Sequence, residues 1–270
     1  MKWSEENALR YDRNIRLAEL GKRGQERLFA SSVLVVGAGG LGSPALLYLA
    51  AAGIGRIGVI DGDRLELSNL NRQVIHPSAS LGRWKAESAA DALRAFRPDL
   101  SVDAHSMMLT AENAMALFRE YDAVVDACDN FPTKYLCNDA AVVTRRPLVH
   151  AGVMRFGGQM LTVLPGETAC LRCLIPEIPP REDSPGAAQV GIFGAAAGIV
   201  GAWQALEAVR LLAGIVPRPG GKLLTVNALA GEASRHSVPR DPACPVCGES
   251  PRIADPLLPA EYLQDPAGGG

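Results

Sequence analysis

The chain alternates short apolar runs with longer amphipathic stretches. Val33, Leu34, Val35 and Val36 run together and stop at Gly37, which predicts a buried strand followed by a glycine turn. Residues 41–52 are rich in Leu and Ala and predict a helix closed by Gly53. Residues 56–60 (RIGVI) predict a second strand, ending at Asp61. A polar loop over 62–83 follows. Between 85 and 97, Ala86, Ala89, Ala90, Leu93 and Phe96 fall on one helix face, and Pro98 stops the helix. A strand over 101–105, a helix over 111–120 with Thr110 as N-cap, a strand over 123–127, a helix over 134–143 and a strand over 147–150 continue the alternation. Such alternation predicts the α/β class: a Rossmann-like, doubly wound, mostly parallel sheet with helices on both faces.

After residue 151 the pattern changes. Residues 157–164 (GGQMLTVL) predict a strand of an antiparallel C-terminal extension. Residues 166–191 read as a long loop rich in Pro and Gly. Residues 194–212 form a helix that is apolar all round, hence an expected buried one. Residues 222–228 predict a last strand. Prolines from 251 onward and the glycines 268–270 predict a loose tail. Residues 1–30 are charged and weakly amphipathic, with Leu17, Leu20 and Leu28 as apolar contacts, and predict one or two surface helices. The expected organisation is a helical segment over 1–30, one α/β domain over 31–250 with a crossover loop near 174–191, and a tail over 251–270.

Composition narrows the function. Lys+Arg number 27 and Asp+Glu 29, a net charge of −2, so no nucleic-acid partner is expected. The N-terminal MKWSEENALRYDR has no apolar secretory core. The longest apolar run, 192–203, is shorter than the ~20 residues that span a bilayer. A cytoplasmic protein without a membrane partner is expected, with its six Cys as reduced thiols or metal ligands.

Gly37-Ala38-Gly39-Gly40-Leu41-Gly42 joins a strand to a helix. Gly37, Gly39, Gly40 and Gly42 let the backbone approach phosphates, and the helix N-terminus offers free N–H groups. Asp61, at the end of the second strand, suits ribose hydroxyls. The turn alone does not separate NAD from ATP. The Gly-Lys pairs at 21–22 and 221–222 lack the Ser or Thr of a Walker A loop. Asn69, Arg72, Gln73 and Lys85 follow the strand that carries Asp61, where loops face the ligand crevice. Two cations beyond the turn, Arg72 and Lys85, suit reaction at an α-phosphate with pyrophosphate leaving. Asp129, past the 123–127 strand, is placed to hold Mg²⁺.

Two C-x-x-C knuckles, Cys170/Cys173 and Cys244/Cys247, match a closed tetrahedral structural Zn²⁺ site. Cys128 and Cys137 read as small core residues. His76, His105, His150 and His236 show no metal-ligand spacing.

These motifs carry a resemblance. RYDRNIRL at 10–17, the glycine-turn segment at 33–55, Asp61 and Asp63 with SNLNRQ at 68–73, G-R-x-K at 82–85 and DACDN at 126–130 resemble the ubiquitin-activating-enzyme-like adenylyltransferases. The likeness is to the bacterial ThiF/MoeB/HesA group, above all ThiF and MoeB, and runs over residues 10–248. It implies ATP-dependent adenylation of the C-terminal glycine carboxylate of a ubiquitin-like sulfur carrier, MoaD-like or ThiS-like and ending in Gly-Gly. Pyrophosphate leaves, ahead of thiocarboxylate formation in molybdopterin, thiamin or related sulfur-transfer biosynthesis.

By motif, the glycine turn cradles phosphates, Asp61 binds ribose, and Asn69, Arg72 and Lys85 contact the triphosphate. Asp129 binds Mg²⁺, and Asp63 and Gln73 match family positions. Arg13 matches an arginine that enters the neighbouring subunit's ATP site, which implies a homodimer. Many members also carry the four-cysteine zinc site. The sequence departs from many relatives at Ala187, where they have a crossover-loop cysteine. That favours adenylation without a covalent thioester on this chain, sulfur from a separate persulfide donor protein, and a molybdopterin-type carrier; the chain length leaves no room for a fused rhodanese domain, so none is expected.

Three other readings compete. The tRNA-modifying dehydratase branch adenylates a non-carrier substrate, but generally lacks the zinc knuckles. An NAD-dependent oxidoreductase leaves Arg72, Lys85 and Asp129 without a task. A non-catalytic zinc-containing binding module leaves Arg13 unexplained as well.

Overall fold

One eight-stranded sheet organises the chain in a computed structural model that describes residues 4–180, 190–215 and 220–263. The strands are β1 (Ser32–Val36), β2 (Arg56–Ile60), β3 (Ser101–His105), β4 (Ala123–Asp126), β5 (Leu148–Met154), β6 (Gly157–Val163), β7 (Lys222–Asn227) and β8 (Glu232–Ser237). Their order is β3-β2-β1-β4-β5-β6-β7-β8. β1 pairs in parallel with β2 and β4, β2 with β3, and β4 with β5. From β5 through β8 every pairing is antiparallel. This is the doubly wound sheet with an antiparallel extension that the alternation implies.

The helices are α1 (Glu5–Arg10), α2 (Asp12–Ile15), α3 (Gly21–Ala30), α4 (Gly42–Ala52), α5 (Lys85–Phe96), α6 (Ala111–Arg119), α7 (Phe131–Thr144), α8 (Leu171–Leu174) and α9 (Gly194–Ala213). Side-chain alternation assigns them to two faces. Val33 and Val35 of β1 enter the cluster that includes Leu28 of α3, Leu46 of α4, Ala89 of α5 and Val200 of α9. Leu34 and Val36 enter the other, with Phe118 of α6 and Tyr135 of α7. Gly53 ends α4 in the left-handed conformation, as its glycine predicts.

Four expectations need correction. The N-terminal segment holds three helices rather than one or two, and Tyr11 between α1 and α2 is buried against Phe29. β7 is not the last strand: β8 pairs with it along six residues, yet EASRHS is exposed throughout and has no apolar alternation to betray it. Residues 251–263 do not form a loose tail. Ile253, Leu257 and Tyr262 are buried against the α7 face, and the Tyr262 hydroxyl donates to Asp139 at 3.1 Å.

The fourth correction concerns α9. It has 20 residues and is long and apolar enough to cross a membrane by length and composition, unlike the shorter run read from the sequence. It packs on α3, α4 and strands β4 to β6. Its outer side is not buried: Ile199 and Leu206 are about half exposed. Ala187 and the glycines 268–270 lie outside the described residues.

Candidate active site

β1, β2 and β4 lie side by side, and the winding direction reverses between β1 and β4. A crevice opens at such a switch point, past the strand C-termini. Here it is a cleft of about 920 Å³, bordered by Gly37, Gly39, Gly40, Asp61, Asp63, Arg72, Gln73, Lys85 and Asp129. Residues more than 90 positions apart in the chain therefore meet because their strands do.

The turn's shape requires glycine at two points. Gly37 sits at φ +96°, and a Cβ there meets the Ala127 carbonyl oxygen at 2.9 Å. A Cβ on Gly42 meets the Gly37 carbonyl oxygen at 1.9 Å. Ala38 between them is held on both of its backbone polar groups. Its N–H donates to the Asp61 carboxylate at 2.8 Å, and its carbonyl lies 2.9 Å from Nε2 of buried His76. Asp61 also accepts from the Asp63 N–H at 2.9 Å. Burial pushes the Asp61 carboxyl above its ordinary value, partly offset by those two N–H donors.

The cations are tethered at the rim. Lys85 is 9% exposed at its side chain and pairs with mostly exposed Asp63 at 2.8 Å. The Arg72 guanidinium donates to the Ser68 carbonyl at 2.9 Å and to the Asn71 side chain at 3.1 Å. Gln73 is buried, and its Oε1 has no hydrogen-bond partner among the described residues. Asp129 is exposed and borders the cleft from the β4 side.

Three sequence candidates stand elsewhere. Gly42 lies behind the turn rather than on the cleft wall. Asn69 is buried beside the cleft, and its Oδ1 accepts from the Glu66 N–H at 3.0 Å. Arg13 is 84% exposed at its side chain and pairs with Asp12 at 2.7 Å.

Sequence reasoning missed the rest of the wall. Met107, Met108, Leu109 and Phe131 supply an apolar side, and Gly152, Gly157, Gly158 and Thr225 supply a second arm along the antiparallel strands. It also missed Lys134, whose only signal is a charge at the start of an otherwise apolar helix face.

The four knuckle cysteines converge. Sγ of Cys170 is 3.9 Å from Cys173, 3.6 Å from Cys244 and 3.4 Å from Cys247, and Cys173 is 3.4 Å from Cys247. Disulfides have S–S near 2.05 Å, so these are not bonded pairs. A tetrahedral site with Zn–S near 2.3 Å puts its sulfurs about 3.8 Å apart, and the thiol cage fits it. The shared thiol hydrogen bonds hold Cys244 and Cys247 below the ordinary thiol value and push Cys170 above it. Burial raises Cys173 to about 11.

The sequence pattern of the ThiF family matches residues 11–246. The chain belongs to the ThiF family. Among curated members, the sulfur carrier protein adenylyltransferase of Thermus thermophilus is 46% identical over 256 residues, covering 93% of this chain and 94% of that protein. The adenylyltransferase and sulfurtransferase MOCS3 of Mus musculus is 46% identical over 251 residues, 93% of this chain and 55% of that one. The chain thus spans about half the length of the mouse relative. Among solved structures, E. coli MccB has a TM-score of 0.79 at 24% identity, over 93% of this chain and 74% of that one. MccB crystallised with ATP has a TM-score of 0.77 at 24% identity, over 88% and 73%. The fold of this ThiF-family chain is therefore shared with MccB.

Proposed function

We propose that the chain adenylates the C-terminal glycine carboxylate of a ubiquitin-like sulfur carrier, MoaD-like or ThiS-like, using ATP and releasing pyrophosphate. The observation that carries this reading is the cleft itself. A phosphate turn, two cationic side chains and an exposed carboxylate from three different strand ends border one space. The relative that is 46% identical along 94% of its own length is named for that activity.

The chemistry needs little proton transfer. The attacking carboxylate is already a nucleophile and pyrophosphate is a competent leaving group. The work is to align them and to stabilise charge on the phosphates. The glycine turn and the N-terminus of α4 bind phosphate oxygens through backbone N–H groups. Lys85 leaves Asp63 for the triphosphate, and Arg72 swings from the Ser68 carbonyl to the same anion. Asp61 keeps the turn closed and has remaining lone pairs for ribose hydroxyls. Asp129 would hold Mg²⁺, which neutralises the phosphate oxygens. The apolar wall of Met107, Met108 and Leu109 suits a nucleobase. The second arm, floored by Gly152 and Gly158, leaves width for a glycine tail. Cys170, Cys173, Cys244 and Cys247 would hold a structural Zn²⁺ away from the chemistry.

Arg13 stands free of its own cleft, which supports its use by a second copy in a homodimer. Sulfur then comes from a separate persulfide donor, and the site of action is the cytoplasm. Hydride transfer to a nicotinamide has no use for Arg72, Lys85 and Asp129 together.

The test is ATP–pyrophosphate exchange with Mg²⁺ and a panel of Gly-Gly-ending carriers. Exchange with one carrier is expected, and loss of that exchange in Asp129→Ala with an unchanged melting temperature. Absence of exchange with every carrier sinks the carrier reading. Wild-type exchange in Asp129→Ala removes the Mg²⁺ role from Asp129.

A further inference from the structure

Beneath the loop that carries Asp129 lies a buried charged cluster that the adenylation chemistry leaves unused. Asp126 is fully buried, and Lys134 and His150 are 6% and 3% exposed. The Lys134 ammonium donates to the Cys128 carbonyl at 2.7 Å and to the Ala151 carbonyl at 2.5 Å. It faces the Asp126 carboxylate at 3.5 Å. Two of the ammonium's three protons go to these carbonyls, and the Asp126 carboxylate offsets its charge. Lys134 borders the cleft, yet its hydrogen bonds run to backbone carbonyls.

Asp126 is fixed in its turn. Its Oδ2 lies 2.6 Å from Nδ1 of His150, and its Oδ1 accepts from the Cys128 N–H at 3.1 Å and from the Cys128 thiol at 2.7 Å. Asp126, Cys128 and Cys137 also bring their donor atoms within 4.8 Å of one another, a set with metal-ligand chemistry. Here the Lys134 ammonium already serves as the cation of that cluster.

A buried ion pair is a poor source of net stability, because desolvating both charges offsets their attraction. What this one fixes is a backbone path. Through Asp126 the Cys128 N–H is anchored to β4. Through Lys134 the Cys128 carbonyl is anchored to Ala151 of β5. The two peptide units flanking Cys128 are therefore both held, and the second of them leads to Asp129.

We propose that Lys134, backed by Asp126 and His150, is a positioning residue that sets the Asp129 carboxylate for divalent-cation binding in the nucleotide complex. The proposal rests on the adenylation reading, in which Asp129 holds Mg²⁺.

Isothermal titration of ATP, with Mg²⁺ and in EDTA, tests it on wild type, Lys134→Met and Lys134→Arg. Lys134→Met is expected to need roughly 10–100-fold more Mg²⁺ to reach the same ATP affinity, as supporting contacts to metal ligands commonly contribute. Its ATP affinity in EDTA stays at the wild-type value. Lys134→Arg keeps charge and donors and returns the Mg²⁺ requirement toward wild type. A merely structural role lowers affinity equally with and without Mg²⁺, and that result overturns the proposal. So does a wild-type Mg²⁺ requirement in folded Lys134→Met. If Lys134→Met does not fold, the Asp126→Asn/Lys134→Met pair removes both buried charges and carries the same titration. Failure of both to fold makes the cluster structural and overturns the proposal. Mg²⁺-independent ATP binding in wild type also overturns the proposal, whereas failure of the adenylation reading is read separately from the absence of carrier-dependent pyrophosphate exchange.

Discussion

The glycine turn and the four-thiol cluster each begin from a short sequence signature, yet they are held together by different means. The turn is contiguous, and its grip is side chain on backbone: Asp61 and His76 fix the two peptide units flanking Ala38. The cluster joins knuckles 74 residues apart, and its surroundings are fixed by side chains. Arg172, inside the first knuckle, forks onto Asp139 of α7 at 2.8 to 3.0 Å, and Tyr262 caps the same carboxylate. Local geometry therefore governs what the cleft binds. Long-range polar contacts govern whether the C-terminal half stays docked. The two should respond separately to mutation.

The largest expected effect is at the thiol end. Arg172 is 3% exposed and Asp139 fully buried, so Arg172→Met strands a carboxylate and lowers stability by about 4 kcal/mol. ATP affinity of the protein that remains folded stays at the wild-type value. Thermal melting with calorimetric ATP titration reads both, and a parallel fall in ATP affinity breaks the separation.

At the turn, ATP binding is expected to fall along with stability. Gly42→Ala drives a methyl into the Gly37 carbonyl oxygen. It should abolish ATP binding while lowering stability by about 3 kcal/mol, the upper range for overpacking. Wild-type ATP affinity in this variant shows that the turn is not the phosphate cradle.

A smaller, acid-dependent effect belongs to the cluster between them. Burial alone raises the Asp126 carboxyl, but the Lys134 ammonium and the His150 bond override it and hold it down at about 2. A carboxylate with a folded value below its unfolded one of 3.8 adds stability above that pH and loses it as pH falls through about 2. The contribution is about 2 kcal/mol at neutral pH. Urea unfolding between pH 5 and 2 should show a steeper acid loss in wild type than in Asp126→Asn, and equal slopes refute it.

Much of this was legible in the chain's order of residues. The parallel half, β1 to β5, follows from apolar runs ending at Gly37, Asp61 and DACDN, because buried strands and glycine turns need those residues. The four-thiol convergence follows from spacing alone. What escaped has physical reasons. β8 is recruited by backbone pairing to β7, and its side chains carry no apolar pattern. Residues 251–263 bury only Ile253, Leu257 and Tyr262, spaced between prolines and without a helical or strand period. α7 starts at Phe131 because Asn130 caps it at the Thr133 N–H and Pro132 is tolerated in the first turn. Lys134 was hidden because a lysine is read as surface, and only the fold supplies two carbonyls and a carboxylate to bury it. The roles of Asn69 and Arg13 rest on motif alone, since neither side chain reaches this chain's cleft.

β8 has a consequence for how the protein behaves in a crowded solution. Among the described residues it ends the sheet, so its outer row of amide and carbonyl groups is a template for another strand. Glu232, Arg235 and His236 occupy that edge, all exposed, and a foreign strand aligning there must bury charge to pair. The same absence of apolar pattern that concealed the strand from sequence reading also guards the sheet against edge-to-edge aggregation.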